Sequence, residues 1–211
     1  PKPLMPINEK PLIDYIINPF TERGFKNFLV SINFKSNIIK SYFKDLTKNY
    51  RINFIEEKTP LGTIGAISLI KNKVSQNFII TNCDTIYNID YSKFYNFHLK
   101  KGNLLTIAVS GKKIIFPYGV CEIDKKDNLI NMEEKPKKNF LVNTGLYLMN
   151  KKLIKYFPKN KLLDINNIIE ICKEKKIPIS TFLINEKSWS DFGSLKNYLN
   201  KFSSFDWKNN S

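Results

Sequence analysis

Two aspartates lie far apart in the chain, each close to a turn. Asp84 comes directly after the apolar segment Phe78–Cys83, and Asp191 stands two residues before Gly193. Mg²⁺ prefers a few carboxylates together with phosphate oxygens and water. The two side chains are therefore of the kind that could hold Mg²⁺ beside a phosphate group, although each alone also fits the capping role that aspartate favours.

Two lysines, Lys2 and Lys135, each stand directly before a proline. The residue before proline is biased toward extended backbone, so both are predicted to be extended. A lysine ammonium is a mobile point charge that suits phosphate oxygens. Most lysines are solvated surface residues, so only the surrounding motif can single these two out.

The net charge of +15 is carried almost entirely by lysine, since Arg23 and Arg51 are the only arginines. The lysines are dispersed and form no basic block interleaved with aromatic residues. This pattern disfavours nucleic-acid binding and favours a phosphate-rich small-molecule substrate.

Composition also bears on the cellular location of the protein and on the kinds of site it could contain. No apolar run is long enough to span a bilayer and no signal peptide is recognisable, so the sequence predicts a cytoplasmic protein without a membrane partner. The three cysteines, Cys83, Cys121 and Cys172, form no CxxC pair, and His98 is the only histidine. A zinc site and a cysteine–histidine nucleophile are both disfavoured.

Helical and extended patterns alternate through the first half of the chain, and the second half is richer in short strands. Strands separated by helices predict an α/β domain with a mostly parallel sheet, whose ligands bind beyond the carboxyl ends of the strands. Asp84 follows such an end. The predicted strands are 25–32, 52–56, 78–83, 104–110, 118–123, 129–133, 142–149 and 179–184, and the predicted helices are 11–23, 35–43, 63–71, 91–100, 165–173 and 195–202, the last capped by Ser194.

Six segments, in order and in register, carry a resemblance to a known enzyme family. They are Pro1-Lys2-Pro3-Leu4-Met5-Pro6, Glu56-Glu57-Lys58-Thr59-Pro60-Leu61-Gly62-Thr63, Asn82-Cys83-Asp84, Met132-Glu133-Glu134-Lys135-Pro136, Asn143-Thr144-Gly145-Leu146-Tyr147 and Trp189-Ser190-Asp191-Phe192-Gly193. The chain up to about Phe202 resembles the sugar-1-phosphate nucleotidyltransferases, and within them the mannose-1-phosphate guanylyltransferase-like and glucose-1-phosphate thymidylyltransferase-like proteins.

The resemblance implies both a fold and a domain plan. The fold is α/β, the Rossmann-like three-layer fold of nucleotide-diphospho-sugar transferases, with a mixed, mostly parallel central sheet. Residues 1–202 would form the catalytic domain and residues 203–211 a C-terminal tail.

The resemblance further implies the transfer of a nucleoside monophosphate from a nucleoside triphosphate to a sugar-1-phosphate, with release of pyrophosphate. Such transfer depends on alignment and charge neutralisation more than on covalent catalysis. By the resemblance, Asp84 and Asp191 hold Mg²⁺, Lys2 lies near the triphosphate, and Lys135 binds the sugar phosphate. Lys2, Asp84 and Asp191 are thus the predicted catalytic residues.

The nucleotide would be bound by Lys2, Glu57, Gly62 and Asp84. At the position of Glu57, relatives selective for thymidine or uridine often carry glutamine. A glutamate accepts hydrogen bonds from a ring N–H and an exocyclic amine, which favours guanine and therefore GTP. Thymidine or uridine triphosphate is the alternative nucleotide, and an exposed turn glutamate is the alternative role.

The sugar-phosphate pocket would be formed by Gly119, Glu134, Lys135, Asn143 and Thr144. Gly119 would permit a close approach of the sugar, and Glu134 would accept hydrogen bonds from its hydroxyl groups. For Glu134 the alternative is an ordinary exposed acid at a strand end.

The sequence departs from the family pattern at its start. Family members carry a glycine-rich loop with an arginine shortly before the Lys-Pro motif, and the sequence opens at Pro1 without that loop or the first strand. We therefore expect upstream residues to exist and the chain alone to be inactive. Loss of a buried central strand is expected to expose a sheet edge and apolar surface. Asn82 and Cys83 also depart from the usual small residue or glycine before the aspartate.

Two other functions are compatible with parts of this pattern. A non-catalytic, nucleotide-sugar-binding regulatory module would keep the fold and lack the loop. A cytidylyltransferase for another phosphorylated alcohol fits the segments at 132–136 and 143–147 less well. A homo-oligomer and an upstream regulatory domain are both compatible with the resemblance.

Overall fold

A computed structural model of the chain describes residues 1–44, 46, 48–57, 59–70, 73–158, 161–194, 198 and 199. Within these residues helices and strands alternate, as the sequence predicts. The strands are β1 (Pro6–Ile7), β2 (Lys10–Pro11), β3 (Asn27–Ile32), β4 (Arg51–Glu56), β5 (Asn77–Thr81), β6 (Thr85–Tyr87), β7 (Leu105–Ile115), β8 (Val120–Ile123), β9 (Leu129–Glu133), β10 (Lys137–Asn150), β11 (Ile179–Ile184) and β12 (Trp189–Asp191). The α-helices are α1 (Leu12–Glu22), α2 (Ser36–Lys44), α3 (Gly62–Gly65), α4 (Tyr91–Lys101) and α5 (Ile165–Glu174).

The largest sheet has four strands in the order β11-β7-β10-β5. β11 runs parallel to β7, whereas β10 runs antiparallel to both β7 and β5. A second, two-stranded sheet pairs β3 with β4 in parallel. The α/β class and the mixed sheet are confirmed.

The described strands do not form one mostly parallel sheet, as the sequence predicts, but several sheets with both parallel and antiparallel pairings. β10 returns from β7 as the second arm of a long hairpin, and hairpin arms must be antiparallel. Because β10 also lies beside β5, it introduces an antiparallel pairing on each of its sides. The parallel pair β3–β4 belongs to a separate sheet in the described residues.

Helix α1 supplies much of the apolar packing beneath the N-terminal segment. Leu12, Ile13, Ile16 and Ile17 recur at helical spacing and are buried, which explains why this segment folds as a helix against the sheets. Pro19 lies inside α1 near its end, and its carbonyl accepts a hydrogen bond from Arg23 Nη1 at 2.8 Å.

The outer parts of β7 and β10 project from the body of the domain together with the β8–β9 hairpin. Their inner halves are buried, whereas Lys112–Ile115 and every residue of β8 and β9 are exposed. The tip turns through Asp127, whose φ of 62° is tolerated by aspartate in a tight turn. This projection therefore holds residues 119–135 out in solvent.

Several local predictions need correction. The segment 63–71 is not one helix, because α3 ends at Gly65 and the 3₁₀ helix Ala66–Leu69 follows it, while Lys71 lies outside the described residues. The short strands β6 and β12 are absent from the sequence-based prediction. The predicted closing helix 195–202 and the tail 203–211 lie outside the described residues, apart from positions 198 and 199.

Among the described residues, no helix combines the length and the apolar character needed to cross a membrane.

Candidate active site

A cleft of about 900 Å³ runs between β3 and β5, and its polar end lies where β3, β4 and β5 finish. Parallel strands present their carboxyl ends, and the loops that follow them, at the same edge, which is where α/β proteins bind ligands. Ser31, Glu57, Gly62, Asn82 and Asp84 line that end. The cleft therefore brings together segments that are far apart in the sequence.

Asp84 and Asp191 meet around Gly193. A side chain at position 193 would place its Cβ 2.8 Å from Asp191 Oδ1 and 3.1 Å from Asp84 Oδ2, so glycine keeps the space between the carboxylates open. The Gly193 N–H also donates to Asp191 Oδ1 at 2.6 Å. Lys2 lies against the same group, with Nζ 3.1 Å from Asp84 Oδ2 and 2.9 Å from the Gly193 carbonyl oxygen.

The pairing of β6 with β12 explains how these distant residues meet. Asp191 is opposite Thr85 in this antiparallel pair, directly beside Asp84. The Phe192 N–H then donates to the Asp84 carbonyl oxygen at 2.8 Å, which extends the contact by one residue. Phe192 is buried and fixes the strand end in the core.

The lysines before proline are not extended, contrary to the prediction. Lys2 lies in the 3₁₀ helix Lys2–Leu4, where the Met5 N–H donates to the Lys2 carbonyl oxygen at 3.0 Å. Lys135 has a φ of 49°, and its N–H donates to the Tyr118 carbonyl oxygen at 3.3 Å. A bond within the 3₁₀ turn at Lys2 and a bond to another segment at Lys135 therefore accompany the departure from the local preference.

Glu57 is held by the ends of two elements. Its Oε1 accepts from the Ser31 hydroxyl, and its Oε2 accepts from the Leu61 N–H at 2.8 Å. Its backbone is also fixed, since its N–H donates to the Ile32 carbonyl oxygen at 3.0 Å and its carbonyl oxygen accepts from Asn33 Nδ2 at 2.7 Å. The carboxylate thus links the end of β3 to the loop before α3.

Gly62 begins α3 in a conformation that favours glycine. Its φ is 79°, and a Cβ there would lie 2.8 Å from the Leu163 carbonyl oxygen. That same carbonyl oxygen accepts from the N–H groups of Ile64 and Gly65 at 3.0 and 3.1 Å. Close backbone packing against residue 163 therefore requires glycine at position 62.

Asn143 and Thr144 lie at a β-bulge in β10. The register of β10 with β7 shifts between Asn143 and Tyr147. Asn143 Oδ1 accepts from the Gly145 N–H at 3.0 Å, and Asn143 Nδ2 donates to Tyr147 Oη at 2.8 Å. Thr144 is buried and donates to the Ala108 carbonyl oxygen at 2.9 Å. These polar groups stabilise the bulge from inside.

Gly145, at the centre of the bulge, touches the segment that carries Asp84. Its φ is 85°, and a Cβ there would lie 2.6 Å from Asn82 Nδ2. The Asn82 N–H donates to the Gly145 carbonyl oxygen at 3.3 Å. The bulge and the strand end that leads to Asp84 are therefore in direct contact.

Gly119, Glu134 and Lys135 lie together at the base of the projecting hairpin. A Cβ at position 119 would lie 3.1 Å from Glu134 Oε2, and Lys135 Nζ lies 3.8 Å from Glu134 Oε1. The side chains of Glu134 and Lys135 are 67% and 64% exposed, so both charges face solvent. Among the described residues, no hydrogen bond or ion pair joins this group directly to Asp84.

Cys83 stands directly before Asp84. Desolvation of its thiol raises its pKa, and the adjacent Asp84 carboxylate raises it further. The raised pKa favours the protonated thiol at neutral pH.

The model of the family described as nucleotidyl transferase matches residues 1–206. This chain belongs to the nucleotidyl transferase family. The family includes the sugar-1-phosphate nucleotidyltransferases, so the resemblance seen in the six sequence segments is confirmed.

Individual members of the nucleotidyl transferase family are similar over most of the chain. D-glycero-alpha-D-manno-heptose 1-phosphate guanylyltransferase of Campylobacter jejuni is 35% identical over 158 residues, covering 74% of this chain and 70% of that protein. Mannose-1-phosphate guanyltransferase 2 of Candida glabrata is 29% identical, covering 94% of this chain and 57% of that protein. The chain covers less than half of the bifunctional protein GlmU of Methanococcus aeolicus, 36% of its length.

Solved structures agree with this assignment. HddC from Yersinia pseudotuberculosis matches with a TM-score of 0.71 and 28% identity, covering 98% of this chain and 90% of that chain. The same protein complexed with GMP-PN matches with a TM-score of 0.69. A putative glucose-1-phosphate thymidylyltransferase from Bacillus anthracis, at 16% identity and a TM-score of 0.70, shows the shared fold.

The donor set at Gly193 fits the magnesium expected for nucleotidyl transferases. Among the described residues, no three His, Cys, Asp or Glu side chains are grouped so that they could hold a metal ion. Two carboxylates around an open space match a metal that takes its remaining ligands from phosphate and water. The space that a Cβ would fill is the feature that supports this fit.

Several residues that shape the candidate site carry no signal of their own in the sequence. Ser31 and Asn33 belong to no motif, and their partner Glu57 follows β4, more than twenty residues away in the sequence. Gly193 and Gly145 stand inside motifs, but the need for glycine depends on contacts with Asp84 and Asn82. The one signal in the sequence for these close approaches is the glycine itself, because glycine permits a contact that a side chain would block.

The contact between Gly145 and Asn82 predicts a specific loss of stability. Gly145→Ala should lower the free energy of unfolding by about 2–4 kcal/mol, because the substitution adds a left-handed φ penalty and a steric clash. Gly24→Ala is the matched control, since Gly24 has a φ of 86° and a Cβ at that position would meet no atom within 4 Å.

Urea unfolding followed by circular dichroism measures both variants. The Gly24→Ala variant should lose only the backbone part, about 1–2 kcal/mol. Equal losses in the two variants would contradict the close contact of the bulge with Asn82.

Proposed function

We propose that this domain transfers a nucleoside monophosphate, with GTP the favoured donor, to a sugar-1-phosphate. The sugar-phosphate oxygen attacks the α-phosphorus and forms a new P–O bond, the bond between the α-phosphorus and the α–β bridging oxygen breaks, and pyrophosphate leaves. The observation that supports this best is the meeting of Asp84, Asp191 and Lys2 around Gly193 at the polar end of the cleft.

In this proposal Asp84 and Asp191 hold Mg²⁺. When bound, the ion neutralises phosphate charge and aligns the reacting groups. Gly193 keeps the two carboxylates accessible, because any larger residue would fill the space between them. Lys2 lies beside Asp84, and its flexible ammonium group would suit contact with a phosphate oxygen of the bound nucleotide.

The preference for GTP rests on Glu57. An ionised carboxylate only accepts hydrogen bonds, and each of its oxygens has a further lone pair beyond the internal contacts to Ser31 and Leu61. Guanine offers a ring N–H and an amino group side by side. The names of two similar proteins, both guanylyltransferases, and the GMP-PN complex of HddC support the same nucleotide.

The sugar side of the proposed site has two parts. Gly119, Glu134 and Lys135 form an exposed charged group that suits sugar hydroxyls and phosphate. Asn143 and Thr144 contribute differently, because their side chains are bonded within the bulge. We propose that Asn143 and Thr144 hold the bulge in the conformation that forms the floor of the pocket, and that backbone groups of the bulge face the sugar.

The proposed reaction predicts the behaviour of an isosteric variant. The full-length protein should release pyrophosphate from GTP with Mg²⁺ and one member of a sugar-1-phosphate panel, and form the matching GDP-sugar. Asp84→Asn should lower kcat/KM by about a thousandfold, because it removes one charged metal ligand worth several kcal/mol in the transition state. Asp127→Asn, at the exposed hairpin tip, is the matched control and should keep full activity.

Other outcomes of that assay point to other functions. Turnover with thymidine or uridine triphosphate alone would contradict the GTP assignment and leave the reaction class intact. Nucleotide-sugar binding without turnover by any pair would support the regulatory-module alternative.

The cradle at Gly193 predicts a metal-binding defect that needs no turnover. Gly193→Ala should raise the Kd for Mn²⁺ by about tenfold or more, a loss of about 1.4 kcal/mol or more, because the new Cβ would lie 2.8 Å from Asp191 Oδ1 and force that carboxylate to move. Titration followed by electron paramagnetic resonance measures free Mn²⁺ directly. Gly111→Ala is the control, because a Cβ at position 111 meets nothing within 4 Å. Unchanged Mn²⁺ affinity in Gly193→Ala would place the metal elsewhere.

We also propose that the apolar part of the cleft receives an additional strand. Five consecutive residues of β3, 27–31, and eight consecutive residues from 77 to 84 line the cleft. Successive side chains of a strand point to opposite faces of the sheet, so a cavity on one face would be lined by every second residue. A cavity lined by consecutive residues therefore lies along the edge of the strand. β3 pairs only with β4, and β5 only with β10, among the described strands.

Apolar side chains complete the middle of this cleft. Ile16, Ile17 and Phe20 of α1 line it on one side and Ile67 and Ile70 on the other. A strand between β3 and β5 would satisfy both free edges and join the two sheets into one. The first strand that the family resemblance implies suits this place.

Hydrogen exchange tests the added strand. In a protein extended upstream of Pro1, backbone amides of β3 and β5 that face the cleft should exchange at least about tenfold more slowly than in residues 1–211, because new strand hydrogen bonds protect them. Amides of α4 serve as the internal reference. Equal exchange at β3 and β5 in the two proteins would contradict the added strand.

A further inference from the structure

We propose that Ser31 is a positioning residue that sets the nucleotide selectivity of this domain by fixing the carboxylate of Glu57. The inference rests on the proposed function, since it assigns a role within the same nucleotide site. Ser31 does not touch the reacting phosphates in this proposal. It acts through Glu57.

The contacts of Glu57 carry the inference. One carboxylate oxygen accepts from the Ser31 hydroxyl on β3, and the other accepts from the Leu61 N–H, 2.8 Å away, in the loop before α3. Two donors on separate elements therefore fix the plane of the carboxylate. Hydrogen bonds to an ionised acceptor are stronger than those between neutral groups, so this clamp restricts side-chain rotation.

The backbone of Glu57 is fixed independently of Ser31. Its N–H donates to the Ile32 carbonyl oxygen, and its carbonyl oxygen accepts from Asn33 Nδ2. Loss of the Ser31 hydroxyl should therefore leave the loop in place and free only the carboxylate. A local effect of this kind can be separated from a general loss of structure.

The geometry of guanine makes the orientation of the carboxylate decisive. A carboxylate accepts from the ring N–H and the neighbouring amino group together only when both oxygens face the base edge. Preorganisation of that plane favours GTP over a nucleotide that offers one donor alone. Inosine triphosphate keeps the ring N–H and lacks the 2-amino group, so it is the probe that isolates this effect.

The experiment compares kcat and KM for GTP and inosine triphosphate in the full-length protein. The variants are Ser31→Ala, Ser31→Thr, Glu57→Gln and the double variant Ser31→Ala/Glu57→Gln, with Ser92→Ala, on the exposed first turn of α4, as the control. Thermal unfolding of each variant checks that it remains folded.

The ratio of kcat/KM for GTP to that for inosine triphosphate should fall by about tenfold in Ser31→Ala, as expected for one weakened charge-assisted hydrogen bond. The change should lie in the KM for GTP, with kcat unchanged. Ser31→Thr retains a hydroxyl on a strand and should keep the ratio of the unmodified protein. In the Glu57→Gln background, Ser31→Ala should change the ratio no further, because the two residues act as one unit.

Three results would overturn the inference. Additive effects of Ser31→Ala and Glu57→Gln would show that Ser31 acts independently of Glu57. A GTP-selective protein whose ratio is unchanged in Ser31→Ala would reject the role of Ser31 while leaving the proposed function standing. An unmodified protein that uses no GTP would reject the inference together with the GTP assignment, while turnover with another nucleotide would leave the reaction class standing; this outcome is read from the parent protein before any variant is made.

Discussion

Two like charges held on either side of one glycine are the constraint on which the candidate site depends. Asp84 and Asp191 approach the same space at Gly193, and neighbouring carboxylates repel each other unless a cation lies near them. Lys2 supplies a positive charge in this structure, at 3.1 Å from Asp84. The arrangement thus favours the entry of further positive charge, which a metal complexed with a nucleotide would bring.

The strands around the carboxylates hold this arrangement against repulsion. The β6–β12 pairing places Asp191 opposite Thr85, and the buried side chains of Ile86 and Phe192 anchor that pair in the core. On the other side, Asn82 contacts Gly145 at the bulge of β10. A change in the backbone of the bulge would therefore displace Asn82, and with it the segment that carries Asp84, by direct contact.

How far the sequence could predict this structure depends on the range of the interactions concerned. The strand 179–184 and the helix beginning at Tyr91 follow from local patterns and agree with β11 and α4 within one residue. The strands β6 and β12 have three residues each and exist because they pair with one another, so no local period marks them. The sequence-based prediction overestimates the number of parallel pairings, because the alternation of side chains along a strand does not indicate its direction. The antiparallel return of the chain through β10 is therefore not visible in that pattern.

The candidate site shows the same division. Motif spacing identifies Asp84, Asp191 and Glu57 as candidates, and the structure brings the two aspartates together. Their neighbours could not be found in this way. The Ser31 hydroxyl on β3 donates to Glu57, which directly follows the neighbouring strand β4. The backbone of Lys135 adopts a conformation that allows its hydrogen bond to Tyr118, not the extended one that the following proline favours.

The two ends of the proposed nucleotide site belong to different structural units. Glu57 and its partner Ser31 lie at the ends of the β3–β4 sheet, whereas Asp84 follows β5, an edge strand of the four-stranded sheet. The described strands of the two sheets share no backbone ladder, and the cleft separates them. Base selection and metal chemistry are thus free to vary separately, while a strand seated between β3 and β5 would fix the distance between them. Alignment of the triphosphate would then depend on that strand as much as on any side chain, because in-line transfer tolerates little displacement of the α-phosphorus.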